Sequence, residues 1–211
     1  MTLLLRHRIP QEEFDYQVLK LAIGEYASPR DRITALLRSG VIVRVKKGLY
    51  VFGDAYRRRP VCKELLANLI FGPSIVSLEY ALGYHGLIPE RVSTVTSVTT
   101  GRARSFDTPI GHFVYRPTPC LSVGFTRVEE GETAFLIATG ERALADRIRD
   151  GRGAPIVTQR QMKAYLFDDL RIDEAGVSRM NPAEMRELGQ RLNSQKVTLC
   201  AGVIESMRRK K

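Results

Sequence analysis

The sequence predicts an α+β protein in two parts: a short helix-and-hairpin module at the N-terminus, then a mixed α/β region that closes in helices. Three observations carry this. Residues 34–52 join the end of an amphipathic helix to two apolar runs separated by Lys46-Lys47-Gly48. Residues 92–100 are Val, Ser and Thr throughout, a composition that favours strand. Asn181-Pro182-Ala183-Glu184 offers a cap, a first-turn proline and an acid at the third position, the pattern of a helix start.

Taken in order, residues 11–26 read as an amphipathic helix with Phe14, Val18, Leu21 and Ala22 on one face. Ser28-Pro29 opens the next, because serine caps and proline suits the first turn. Ile33, Leu36 and Leu37 give it an apolar face, and Gly40 stops it. Residues 42–45 and 49–52 then read as strands across a Gly-containing turn. A helix followed by a basic hairpin is the core of a winged helix-turn-helix, here assigned to residues 1–60. That motif normally shows three helices before its wing and only two are legible, so either residues 11–26 break in the middle or the motif is reduced.

Residues 53–60 read as a linker carrying Arg57-Arg58-Arg59. Residues 61–211 make up the mixed α/β domain with C-terminal helices. Residues 61–71 are apolar and helical, ended by Gly72-Pro73. Ser74 or Ser77 can cap a second helix that turns Leu78, Ala81 and Leu82 inward. After the strand at 92–100, residues 101–109 form a polar turn region, and 111–116, 121–128 and 133–137 are further strands. Residues 139–149 return to helix on the stripe Ala143, Leu144 and Ile148. Residues 155–167 are helical in their second half, and one or two helices follow Asn181.

The net charge of +10 is unevenly spread. Residues 28–59 hold nine basic side chains against Asp31 and Asp54; residues 60–150 hold nine against ten acidic; residues 151–211 hold twelve against seven and end in Arg208-Arg209-Lys210-Lys211. Clustered Lys and Arg bind phosphates by releasing counterions, so the first cluster, coinciding with the helix and hairpin, points to nucleic acid. The terminal four suit a frayed basic tail as well as a contact.

Other chemistries lack their residues. There is no Walker A sequence, no G-x-G-x-x-G and no H-E-x-x-H. His7, His85 and His112 are far apart, and Cys62, Cys120 and Cys200 have no zinc spacing, so neither metal nor other cofactor is expected. No apolar run reaches membrane-spanning length, and Leu3-Leu4-Leu5 is too short for a signal-peptide core, so the expected location is the cytoplasm. Glu79 and Asp107 are the nearest carboxylates to a nuclease pair, without the Glu-x-Lys strand such a site needs. Arg102 and Arg104 suit a phosphate- or carboxylate-binding loop in the second domain, or a solvated turn. Tyr80, Tyr84 and His85 fit either a pocket wall or core packing.

Two blocks carry a likeness to a known family: RITALLRSGVIVRVKKGLYVF at 32–52, and PSIVSLEYALGYHGLIPERVSTVTSVTTGRARSFDTPIGHFVYR at 73–116 with IATGERALADRI at 137–148. The chain resembles the AbiEi antitoxins of type IV toxin–antitoxin systems, which are winged-helix transcriptional regulators. The likeness spans residues 30–150, and its second block is the more specific. It implies a non-enzymatic repressor that binds the double-stranded DNA of its own promoter, and a second domain that counteracts a nucleotidyltransferase-like toxin, directly or indirectly. From the residues themselves, Arg30, Arg32, Thr34 and Arg38 are the candidates to read DNA from the helix. Arg44, Lys46 and Lys47 are those of the wing, and Arg57, Arg58 and Arg59 flank it. Two other readings stand beside this one: an interaction module that masks its toxin with weak DNA affinity, and a nuclease-like enzyme.

Overall fold

The computed structural model describes residues 2–24, 28–153 and 155–209. The chain is α+β and holds two hydrophobic cores, one built by residues 5–52 and a larger one that takes in the rest.

Around the first core lie three helices, α1 (Thr2–Arg8), α2 (Tyr16–Ile23) and α3 (Pro29–Arg38), and three strands, β1 (Glu13–Asp15), β2 (Ile42–Lys46) and β3 (Leu49–Phe52). The strands form an antiparallel sheet in the order β1-β3-β2. The helix expected over 11–26 is thus two elements, and its last residue, Tyr26, lies outside the described residues. The break falls at Asp15, whose carboxylate accepts the Val18 N–H at 2.8 Å and so starts α2 at Tyr16. Upstream, Phe14 pairs with Tyr50 of β3 and packs on Phe52. Leu21 is 80% exposed, against expectation, because Leu19 and Ala22 take the inward positions of this short helix. Ser28 precedes α3 but makes no cap to its backbone; its hydroxyl donates to Asp31 at 2.5 Å. Gly40 does end α3, in a left-handed conformation at φ +69°. A Cβ at Gly53 would stand 1.9 Å from the Gly40 carbonyl oxygen, so the two glycines let the strand that leaves the hairpin close over the end of α3.

β3 reads Leu-Tyr-Val-Phe, and all four residues are buried. Tyr50 and Phe52 face the first core, Leu49 and Val51 the second. Val45 of β2 also belongs to the second core, with Val43 packed against it. β3 is therefore buried on both faces, which is what an uninterrupted apolar strand requires.

The larger part is a mixed six-stranded sheet, ordered β6-β7-β5-β4-β9-β8: β4 (Ser74–Val76), β5 (Val95–Thr99), β6 (Arg104–Thr108), β7 (Gly111–Pro117), β8 (Phe125–Glu130) and β9 (Thr133–Ala138). α4 (Lys63–Ile70) packs across β4, β5 and β9, and α5 (Leu78–Tyr84) packs on β5 and on α6 (Gly140–Asp150). Then come α7 (Gln159–Ala164), a π-helical turn at Tyr165–Asp169, α8 (Glu174–Arg179), α9 (Pro182–Arg191) and α10 (Gln195–Arg208). α10 buries Val197, Cys200, Ala201, Val203 and Ile204. Among the described residues no helix is long and apolar enough to cross a membrane.

Several expected boundaries move. The first helix of this part begins at Lys63, not at residue 61, because the Cys62 thiol caps it. Ser74 lies in β4 rather than at a helix start, and the Ser77 hydroxyl is turned away from α5 toward Asp146. The polar stretch 101–109 contains β6, an edge strand that among the described residues pairs only with β7, so it needs no apolar alternation. The strand expected at 121–128 runs instead over β8, because Arg142 takes up the carbonyls of Cys120 and Val123. Asn181 caps α9 as expected, accepting the Ala183 N–H at 2.9 Å.

Candidate nucleic-acid interface

α3 divides its side chains cleanly. Ile33 and Leu36 are buried in the first core. Arg30, Thr34 and Arg38 recur every four residues, so they form one stripe, and all three are exposed. Ala35 is exposed beside them and was missed by a search for polar residues; its small apolar side chain suits contact with a thymine methyl. The Thr34 hydroxyl donates back to the Arg30 carbonyl at 2.9 Å, which satisfies it on the helix. Arg32 departs from expectation. It is half-buried and lines a cavity of about 80 Å³ between α1, α2 and α3, together with Leu4, Arg8 and Leu36. It lies off the Arg30–Arg38 stripe.

The hairpin also splits. Arg44 and Lys47 are exposed. Lys46 is not a free tip residue: its ammonium donates to the Ile70 carbonyl at 2.6 Å and stands 5.6 Å from the Phe106 ring centroid. A cation there meets the last turn of α4, where backbone carbonyls collect partial negative charge. Together with Leu49 and Val51, it fastens the hairpin to the larger part.

The linker arginines are differently placed from one another. Arg57 donates to the Phe52 carbonyl at 2.8 Å and pairs with Asp54 at 2.6 Å. Arg59 pairs with Glu13 at 3.4 Å. Arg58 alone of the three is exposed with its side chain uncommitted, while its N–H donates to Glu12. Glu12 and Glu13 are buried acids that hold this linker from beneath: Glu12 pairs with Arg6, and Glu13 accepts the Cys62 N–H at 2.6 Å. Burial pushes the Cys62 thiol up to about 12, so it stays a neutral helix cap.

Arg104 lies on β6, not in a loop, with its guanidinium 5.6 Å from the Phe71 ring centroid; Arg102 is exposed on the turn before it. Glu79 and Asp107 do not form a pair. Glu79 holds Arg147 at 2.8 Å and Asp107 holds His112 at 2.5 Å. The Tyr80 hydroxyl donates to Glu64 at 2.5 Å, Tyr84 sits edge-on to Phe135, and His85 bonds the Ala138 carbonyl at 2.7 Å. Cys62 and Cys120 are half-buried and Cys200 is buried, all unpaired as free thiols. Among the described residues no cluster of His, Cys, Asp and Glu could hold a metal ion. Lys210 and Lys211 of the basic tail lie outside the described residues.

Lys46 is exposed too but tied to the Ile70 carbonyl, so the exposed residues left for an outside partner are Arg30, Thr34, Ala35 and Arg38 on α3, Arg44 and Lys47 on the hairpin, and Arg58 after it. A helix stripe of this chemistry can meet base edges, and the flanking cations can meet phosphates. No protein-family model matches the chain, and no curated protein matches it.

Proposed function

We propose that residues 1–60 act as a winged helix that binds double-stranded DNA and represses the chain's own promoter, with the remainder serving as the antitoxin part of a type IV toxin–antitoxin pair. The observation that carries the DNA reading is the exposed Arg30, Thr34 and Arg38 stripe on α3. That helix immediately precedes a hairpin whose Arg44 and Lys47 are exposed. The order α1-β1-α2-α3-β2-β3, with the sheet order β1-β3-β2, supports the winged-helix reading; its third helix is α1, over residues 2–8, and not a piece of the stretch expected as one helix over 11–26. In this reading α3 enters the major groove: its arginines take guanine edges or phosphates, and Thr34 and Ala35 take thymine methyls. Lys47 and Arg44 hold the flanking backbone. The antitoxin reading rests on the likeness of residues 73–116 and 137–148 to the AbiEi antitoxins.

The test is binding of the intact chain to its upstream DNA over a salt series, with random DNA as competitor. Tight, salt-sensitive binding with preference for the upstream sequence is the expected result. Binding that ignores salt, or that does not distinguish the two DNAs, removes the reading. The antitoxin role is checked separately, by growth of cells that express a neighbouring nucleotidyltransferase-like toxin with and without this chain.

A further inference from the structure

β8 is an edge of the six-stranded sheet and, among the described residues, pairs only with β9. Its register runs from Phe125 opposite Ala138 to Glu130 opposite Thr133. The Thr139 N–H donates to the Gly124 carbonyl at 3.0 Å, in the same register, so the even-numbered residues are the ones bonded to β9. Phe125, Arg127 and Glu129 therefore turn their backbone N–H and C=O groups outward. Five of the six residues of this strand are exposed, and none is proline or lysine.

We propose that β8 is the docking edge for a second copy of this chain, which adds its own β8 antiparallel across a two-fold axis at Val128. Hydrogen-bonded pairing joins an outward residue to an outward residue, so the axis must fall on a residue, not between two. An axis at Arg127 sets arginine against arginine, and one at Glu129 sets glutamate against glutamate. An axis at Val128 sets Arg127 against Glu129 of the second copy, twice, and each of those two pairs exchanges both backbone bonds. Within one chain, Arg127 and Glu129 already lie side by side as an ion pair on one face of the strand. The charges that blunt this edge toward parallel or shifted strands thus favour one antiparallel register of the chain with itself. A six-residue edge is small for an interface, so association is weak and appears as concentration rises.

The test is light scattering on the intact chain, without DNA, over a concentration series. The mass should climb from 23.8 kDa toward twice that value. Arg127→Pro removes an outward N–H without touching the ladder to β9 and should keep the chain monomeric. Arg127→Glu alone and Glu129→Arg alone should each raise the dimer dissociation constant by about tenfold. The two reversals together restore both pairs and should return the dissociation constant to that of the parent. A parent chain that stays monomeric at every concentration overturns the proposal. So does an Arg127→Pro chain that dimerises like the parent, or a double reversal that fails to restore association. If Arg127→Pro does not fold, the charge series alone decides. DNA binding is not read in this experiment, so its outcome is independent of the proposed function.

Discussion

α3 and α6 are two arginine-rich amphipathic helices of similar length, Pro-Arg-Asp-Arg-Ile-Thr-Ala-Leu-Leu-Arg and Gly-Glu-Arg-Ala-Leu-Ala-Asp-Arg-Ile-Arg-Asp, and they use arginine in opposite ways. In α6 each arginine is committed inside the molecule. Arg142 is fully buried, bonds Asp146 at 2.9 Å and reaches the Val123 and Cys120 carbonyls; Arg147 holds Glu79; Arg149 bonds the Pro117 carbonyl at 2.9 Å. In α3, Arg30 and Arg38 stand in solvent with no carboxylate within reach among the described residues. Arginine content alone says little. A guanidinium that the fold has not saturated is the one available to an outside anion.

The widest separation between the two helices should come from Arg142→Ala. It leaves the Asp146 carboxylate buried without its cation, where burial already pushes its pKa up, and should cost about 3–5 kcal/mol in urea unfolding. A midpoint equal to that of the parent would mean the buried pair contributes nothing. Arg30→Ala and Arg38→Ala should leave the unfolding free energy within about 0.5 kcal/mol and weaken specific DNA binding by about 1–3 kcal/mol, measured by fluorescence anisotropy. A stability loss on the α3 side with unchanged DNA affinity would erase the contrast.

The hairpin sharpens it at the level of neighbours. Lys47→Ala should lower the salt slope of DNA binding by about one unit at unchanged stability. Lys46→Ala should act on stability instead, by about 1–2 kcal/mol, because it strands the Ile70 carbonyl contact at the end of α4. Interchanged results would mean the hairpin is turned the other way to DNA.

The smallest effect belongs to an exposed pair. Arg186 stands 2.5 Å from Glu205 and holds that carboxyl below its ordinary value of 4.5. A depressed folded value means the pair's contribution is present above the ordinary value and is lost as pH falls through the folded one. Glu205→Gln should therefore lower stability slightly in the neutral region, leave the acid end unchanged, and so flatten the acid limb of a thermal-stability profile.

What the sequence revealed and what it hid follow from the range of the interactions. α3, the hairpin and the start of α9 were legible because their signals are local: proline at a first turn, glycine at φ > 0, a capping asparagine. β1 was hidden because Glu12 and Glu13 look like the polar face of a helix until Arg6, Arg59 and the Cys62 N–H are brought around them. β6 was hidden because an edge strand facing water needs no apolar alternation. The inward turn of Arg32 and the anchoring of Lys46 depend on partners far along the chain, and no spacing within the segment encodes them. The run Leu-Tyr-Val-Phe did announce a strand buried on both faces, in a form easily passed over as one half of a hairpin.

That strand has a consequence for how the molecule comes apart. Leu49 and Val51 sit in the larger core, so a protease that nicks the exposed stretch around Ala55 would sever the backbone without freeing the residues that precede the cut. The two pieces would travel together on a native gel and part only in denaturant.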